Sequence, residues 1–159
     1  SEDTMPLLHA ALEWNYVLVT ALCGSFLAQF IKVILNLFIF HRFIPERMWG
    51  AGGMPSSHSA TVCAMVVATA RYCGVTSTEF ALAAVVSIIV MYDAMGVRYE
   101  TGEQAKLLNR MFNEWMDQGV NALPFLGGKK LKEMVGHTPI EVLTGAVLGI
   151  ALGFAMPMV

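Results

Sequence analysis

The sequence predicts an all-α integral membrane helical bundle, with about four transmembrane helices and one or two short interfacial helices. Three observations carry that expectation. Hydrophobic residues make up 56% of the chain and charged residues only 14%, against roughly 45 to 50% and about 25% in water-soluble domains. Four apolar runs approach the about 17 to 25 helical residues that cross a ~30 Å bilayer core. The lysines and arginines are distributed unevenly around those runs. At 159 residues the chain is read as a single membrane-embedded domain, 1–159. A net charge of -2 provides no basic field for nucleic acid.

The first run, Tyr16 to Phe40, is long enough to cross, and residues 5 to 13 ahead of it suit a short interfacial helix. Within the run, Ser25, Gln29, Lys32 and Asn36 follow one another in steps of four, three and four. At roughly 100° per residue these steps keep them within about 60° on one helical face. A lysine inside a span costs about 2.5 to 3.5 kcal/mol, so it normally faces a partner or a watery cavity. Lys32 stands eight residues before the end of its run, roughly 12 Å, which is long for snorkelling. Lys32 and Gln29 are therefore candidate site residues.

The second run, His58 to Cys73, follows the stretch "GAGGMPSSHSA" at residues 50 to 60. Alone, that stretch fits either a turn with a helix cap or an anion cradle with a histidine aimed into it. The third run, Phe80 to Val97, leads into "MYDAMGVRYETGEQA". This places Asp93 about one turn inside the interface and Arg98 just beyond it. Their i, i+5 spacing is poor for pairing on a continuous helix, so mutual pairing and a site shared with Lys32 both stay open. Glu103 and Gln104 open an amphipathic helix, Glu103 to Asp117, where an acid also serves as a cap and dipole partner. The "LPFLGGKK" that follows reads as a turn.

The fourth run is Ile140 to Val159. Ahead of it, Thr138 suits an N-cap and Pro139 a first helical residue. Glu141, four residues after His137, can come back toward the imidazole. A carboxylate bonded to one ring nitrogen fixes the tautomer and makes the other a better base or nucleophile; the alternative is a capping arrangement beside a passive histidine. Gly145, Gly149 and Gly153 recur every four residues as a ridge for close packing, within the bundle or as the seam of a homodimer.

Four crossings place the loops 41–57 and 98–137 on one side, and they hold eight of the ten lysines and arginines. Arg71 is on the other side and Lys32 is inside a span. The positive-inside rule then puts the busy loops in the cytoplasm or its topological equivalent. Cys23, Cys63 and Cys73 are odd in number and lack metal-ligand spacing, so they read as packing residues. Two acids and no positive charge among the first four residues do not suit a cleaved secretory signal.

Two histidine motifs thus stand at the starts of two spans on one side of the membrane. The chain resembles the type 2 phosphatidate phosphatase and vanadium-dependent haloperoxidase superfamily, whose signatures include Pro-Ser-Gly-His and a later histidine followed four residues on by an acid. It is closest to the small divergent bacterial and plastid branch, in which "GGMPSSHSA", "DA-x-GVR", "GEQA" and "GH-x-PIEV" recur in this order. The resemblance covers residues 16 to 159. It implies that His137 is a nucleophile forming a phosphohistidine, oriented by Glu141 where the family has aspartate. It implies that His58 protonates the leaving oxygen and then activates water. Ser56, Ser57 and the backbone around Gly53 would hold phosphate oxygens.

The chain departs from the family pattern at named positions. Ser57 replaces a glycine, position 131 is Leu131 where an arginine precedes the last histidine, and the lysine and Arg-Pro signature is absent. Lys32 and Arg98 stand in for those cations by position, supported by Asp93, Glu103, Gln104 and Gln29. Family members typically have six spans rather than four.

Phosphoryl transfer requires positioning, neutralisation of charge on the transferring oxygens and an acid for the leaving group. Two helix N-termini facing one another supply N–H donors and positive dipole ends. At membrane level the fitting substrate is a lipid phosphate ester: phosphatidate, phosphatidylglycerol phosphate or a polyprenyl diphosphate. The enzyme is expected to need no cofactor or metal, to be inhibited by vanadate, and to reside in a bacterial cell membrane or its plastid equivalent. Two other readings use the same residues. One is a divalent-metal site built from His58, Asp93, His137 and Glu103 or Glu141; the other is a non-catalytic scaffold or lipid-binding subunit.

Overall fold

The computed structural model describes residues 6–40, 53–117, 131, 133 and 136–158. They form five helices: α1 (Pro6–Phe40), α2 (Ser57–Cys73), α3 (Thr78–Met95), α4 (Val97–Asp117) and α5 (Pro139–Ala155). The turn expected at "LPFLGGKK", and the basic residues Arg42, Arg47, Lys129, Lys130 and Lys132, lie outside the described residues.

Local sequence sets several of the helix boundaries. α1 contains one non-helical residue, Asn15 (φ -159°, ψ 91°), whose Oδ1 accepts the Leu18 amide at 2.9 Å and caps the second segment. The expected interfacial helix and first span are therefore one element with a kink. Ser56 caps α2 and Ser77 caps α3, each side chain accepting an amide from the first turn. Gly74, at φ 87°, ends α2 in a backbone region that glycine enters freely. Gly96 separates α3 from α4. α4 thus starts at Val97, ahead of the expected start at Glu103, because no helix-stopping residue follows Gly96 until Gly102, which the helix absorbs.

α2 is the central helix and packs against α1, α3 and α5, while α4 packs only on α3 among the described helices. The closest contacts between helices are made by small residues, with a bulkier cluster of Leu12, Tyr16 and Met156 at one end. Gly24 of α1 lies against Ala60 and Ala64, and on α5 Gly145 faces Ser56, Gly149 faces Ala60 and Gly153 faces Val67 and Ala64. Ser56, Ser59 and Thr20 are fully buried, whereas Phe26 is 73%, Ile88 64% and Phe154 66% exposed. Small and hydroxyl-bearing residues inside with bulky apolar ones outside is the reverse of a water-soluble core, and it suits helices whose solvent is lipid. Two stretches, His9–Phe38 and the joined Thr78–Trp115, are long and apolar enough to cross a membrane.

Gly145, Gly149 and Gly153 take the first of the two uses expected of the ridge, close packing within the bundle. All three are buried within the chain, and a Cβ on any of them would press on α2. That ridge is used inside the bundle.

At the far end of the bundle, Nη1 of Arg71 lies 2.6 Å from the Gly153 carbonyl, 2.8 Å from that of Met156 and 2.9 Å from the Tyr16 hydroxyl. Tyr16 stacks on Tyr72 at 6.0 Å between ring centroids. This single side chain joins α1, α2 and the C-terminus of α5, where the last carbonyls of a helix need donors.

Candidate active site

Three helix ends meet at the other end of the bundle. The Ser56 amide at the start of α2 donates to the Glu141 carbonyl in the first turn of α5 at 3.0 Å. The His137 amide donates to the Ala94 carbonyl at the end of α3, also at 3.0 Å. Gly136 makes the turn between them, with φ 89° and its α-carbon packed directly on the Arg98–Tyr99 backbone. Only glycine combines that φ with that proximity.

His137 is 2% exposed. Its Nδ1 faces Glu141 Oε2 at 3.3 Å, and its Nε2 is buried with no hydrogen-bond partner among the described residues. A carboxylate can only accept, so Nδ1 carries the proton and Nε2 the lone pair. The same Oε2 accepts the Thr138 amide at 2.9 Å, and Thr138 Oγ1 accepts the Glu141 amide at 3.4 Å. The capping box and the histidine–carboxylate pair, alternatives in the sequence, coexist on one carboxylate. Burial pushes the His137 imidazole below the usual histidine range; the Glu141 carboxylate pulls it back up, while the Lys32 ammonium and His58 push it down.

His58, one residue into α2, is exposed at the site, with its ring centroid 5.9 Å from that of His137 and an interplanar angle of 61°. Both rings line a cavity of about 240 Å³. Its other lining residues are Ile89, Val90 and Ala94, which form an apolar wall on α3, and Asp93 and Arg98. Arg98 Nε donates to Asp93 Oδ2 at 2.7 Å. The pairing thought poor on a continuous helix forms because the helix breaks at Gly96, between the two residues.

The other expected site residues lie outside the cavity lining. Lys32 is 2% exposed, and its stem runs beside Gly53, where a Cβ would stand 3.6 Å from Lys32 Cδ. Its charge acts on His137 and on Glu141, so it belongs to the electrostatics of the site. Ser56 and Ser57, expected to hold phosphate oxygens, are buried. The Ser56 hydroxyl is the N-cap of α2, accepting from the Ser59 amide at 3.3 Å and the Ser59 hydroxyl at 3.2 Å. Gln29 keeps a buried Oε1 without a partner among the described residues.

Glu103 and Gln104 are exposed in the interior of α4, and Glu103 pairs with Lys106 at 2.6 Å. Their expected place at a helix N-terminus near the site is corrected by the earlier start of α4. Among the described residues no three His, Cys, Asp or Glu side chains are grouped to share a metal ion.

Two contributions escaped the sequence reading. The apolar wall lies on a run that hydropathy marks only as lipid-compatible. Asn109, 5% exposed, donates to the Leu131 carbonyl at 3.0 Å and to Glu133 Oε1 at 2.7 Å, and accepts the Leu131 amide at 3.1 Å. It thereby ties α4 to residues just upstream of His137. An asparagine inside an amphipathic helix is the only sequence signal of that tie.

The family model described as the divergent PAP2 family matches residues 14–152. An uncharacterized membrane protein of Bacillus subtilis (strain 168), YuiD, is 38% identical over 144 residues, covering 87% of this chain and 91% of that protein. No solved structure matches the chain.

Proposed function

The chain belongs to the divergent PAP2 family, and on that premise we propose that it is a membrane lipid phosphatase that cleaves a lipid phosphate ester through a phosphohistidine on His137. The observation that carries this reading is the state of His137: Nδ1 held by Glu141, Nε2 buried and unpartnered, and His58 across a shared cavity. A nucleophile requires a free lone pair, and leaving-group departure requires a second group able to deliver a proton.

In the first step Nε2 attacks phosphorus and the bond between phosphorus and the ester oxygen breaks. His58, as imidazolium, passes its proton to the departing oxygen. Water then attacks the phosphohistidine, His58 takes a proton from it, and the electron pair of the nitrogen–phosphorus bond returns to Nε2. Arg98 in the cavity lining and the buried Lys32 charge offset the negative charge on the phosphoryl oxygens. The apolar wall of Ile89, Val90 and Ala94 offers a surface for the lipid end of the ester, and Ile89 is itself 61% exposed.

This reading takes four crossings, formed by α1, α2, α3 and α5, with the site at the cytoplasmic end in a bacterial or plastid-type membrane. The full chain in nanodiscs, given phosphatidate, phosphatidylglycerol phosphate or a polyprenyl diphosphate, is expected to release phosphate with EDTA present. Vanadate is expected to inhibit, since it mimics the five-coordinate phosphorus. His137→Ala is expected to abolish release, and rapid quenching of the wild type to trap an acid-labile, base-stable phosphoenzyme. Full activity in His137→Ala would overturn the assignment, and loss of wild-type activity in EDTA would favour the metal-dependent alternative.

A further inference from the structure

We propose that Asp93 is a positioning residue for His58, so that the site contains two histidine–carboxylate couples with different tasks. The inference rests on the phosphohistidine reading and deepens it. Glu141 is committed to His137 by geometry: its Oε2 holds both Nδ1 of that ring and the Thr138 amide. Asp93 is the one carboxylate that lines the cavity among the described residues, and it does so together with His58 and Arg98.

His58 shares the cavity lining with the cation Arg98 and the anion Asp93, and its ring stands edge-on to His137 at 5.9 Å. A cation in the same cavity opposes formation of an imidazolium, and an acid for the leaving oxygen must be one. Asp93 supplies the opposing charge. Its bond to Arg98 uses Nε of the guanidinium and is half exposed, at 48% and 39% for the two side chains, so it is weakly held. A phosphate dianion entering the cavity shares the Arg98 charge, which leaves Asp93 free to turn to the imidazolium of His58. Substrate binding thereby prepares the proton donor. The proton moves from His58 to the ester oxygen as the phosphorus–oxygen bond breaks, and Asp93 remains a carboxylate throughout.

The test compares two esters that differ in their need for an acid. An alkyl phosphate leaves as a strongly basic alkoxide, whereas p-nitrophenyl phosphate leaves as a weakly basic phenolate. In the full chain Asp93→Asn is expected to lower kcat on a short-chain phosphatidate about 100-fold, the lower end of a general acid's contribution, and on p-nitrophenyl phosphate only about 5-fold. Asp93→Glu is expected to restore at least a tenth of the phosphatidate rate. Thermal midpoints and vanadate inhibition of both variants report whether the fold and site persist.

If Asp93 serves only to hold Arg98, both esters lose equally through a raised KM, and that result overturns the inference while leaving His137 as nucleophile. A His137→Ala variant with full activity would instead remove the reading beneath it.

Discussion

The amide of Ser56 and the carbonyl of Glu141, bonded at 3.0 Å, join the first turns of α2 and α5 through main chain. The two histidines are positioned by that junction, since His58 follows Ser56 by two residues and His137 precedes Glu141 by four. The junction in turn depends on the glycine ridge. A Cβ on Gly145 would collide with the Ser56 carbonyl, and one on Gly149 with the Ala60 carbonyl.

Gly149→Ala is therefore expected to destabilise the bundle by about 1 to 3 kcal/mol, the usual consequence of forcing extra volume into a packed interior. The colliding atom is backbone and cannot swing aside. Gly145→Ala should cause a similar loss and also spread the two histidines, weakening vanadate inhibition more than Gly149→Ala does. Thermal unfolding in detergent, with vanadate titration, measures both. An alanine variant as stable as the wild type would contradict this packing.

Glu141 performs two tasks that one substitution can separate. In Glu141→Gln the amide oxygen can still accept from the Thr138 amide, so the cap persists and the thermal midpoint should stay near that of the wild type. The neutral side chain no longer balances positive charge on His137, and kcat is expected to fall about 100-fold. Glu141→Ala should lose the cap as well, about 1 kcal/mol. If Glu141→Gln keeps its kcat, Glu141 is a cap alone.

The acid limb of the pH profile should report His137. Burial holds its imidazole below the usual histidine range, while in the unfolded chain it titrates near about 6.5. Neutral His137 is the nucleophile, so turnover should persist as pH falls through about 6.5 and decline only at the depressed value. Stability follows the same linkage: between the two values the unfolded chain binds the extra proton, so stability rises with pH there. Acidification from above the unfolded value therefore destabilises the protein until the folded value is passed, and the effect then levels off. Melting midpoints of wild type and His137→Gln between pH 8 and pH 5 test this, with the histidine variant expected to show the shallower acid loss.

The sequence disclosed the two histidine motifs, the Thr138–Pro139 helix start and the approximate spans, because caps, spacing and apolar runs are local properties. It left open whether Asp93 and Arg98 meet, since that depends on Gly96 ending one helix and letting the chain turn. Ser56 has a role that local sequence alone does not single out. A serine beside a candidate phosphate site is equally suited to capping the helix, and its bonds to Ser59 show the cap. The glycine ridge announced close packing but not its partner, which is a matter of how helices distant in sequence come together.

Arg71 was legible only as a lone basic residue away from the busy loops, yet it closes the opposite end of the bundle. Its Nη1 reaches carbonyls of Gly153 and Met156 and the hydroxyl of Tyr16, and its guanidinium carbon stands 5.9 Å from the Tyr16 ring centroid. In Arg71→Met the volume is largely kept, but carbonyls at the C-terminus of α5 lose a charged donor, a change of about 1.5 to 3 kcal/mol. The cost should appear almost entirely as a lower thermal midpoint. His137 lies at the other end of α5, roughly 25 Å away at 1.5 Å per residue, so kcat and KM of the folded fraction should remain within about 2-fold of the wild type. Lysine at this position brings one compact ammonium in place of a planar fork and should recover only part of the loss. Equal melting midpoints for wild type and Arg71→Met would show that the network at this end does not hold α5 against α1 and α2.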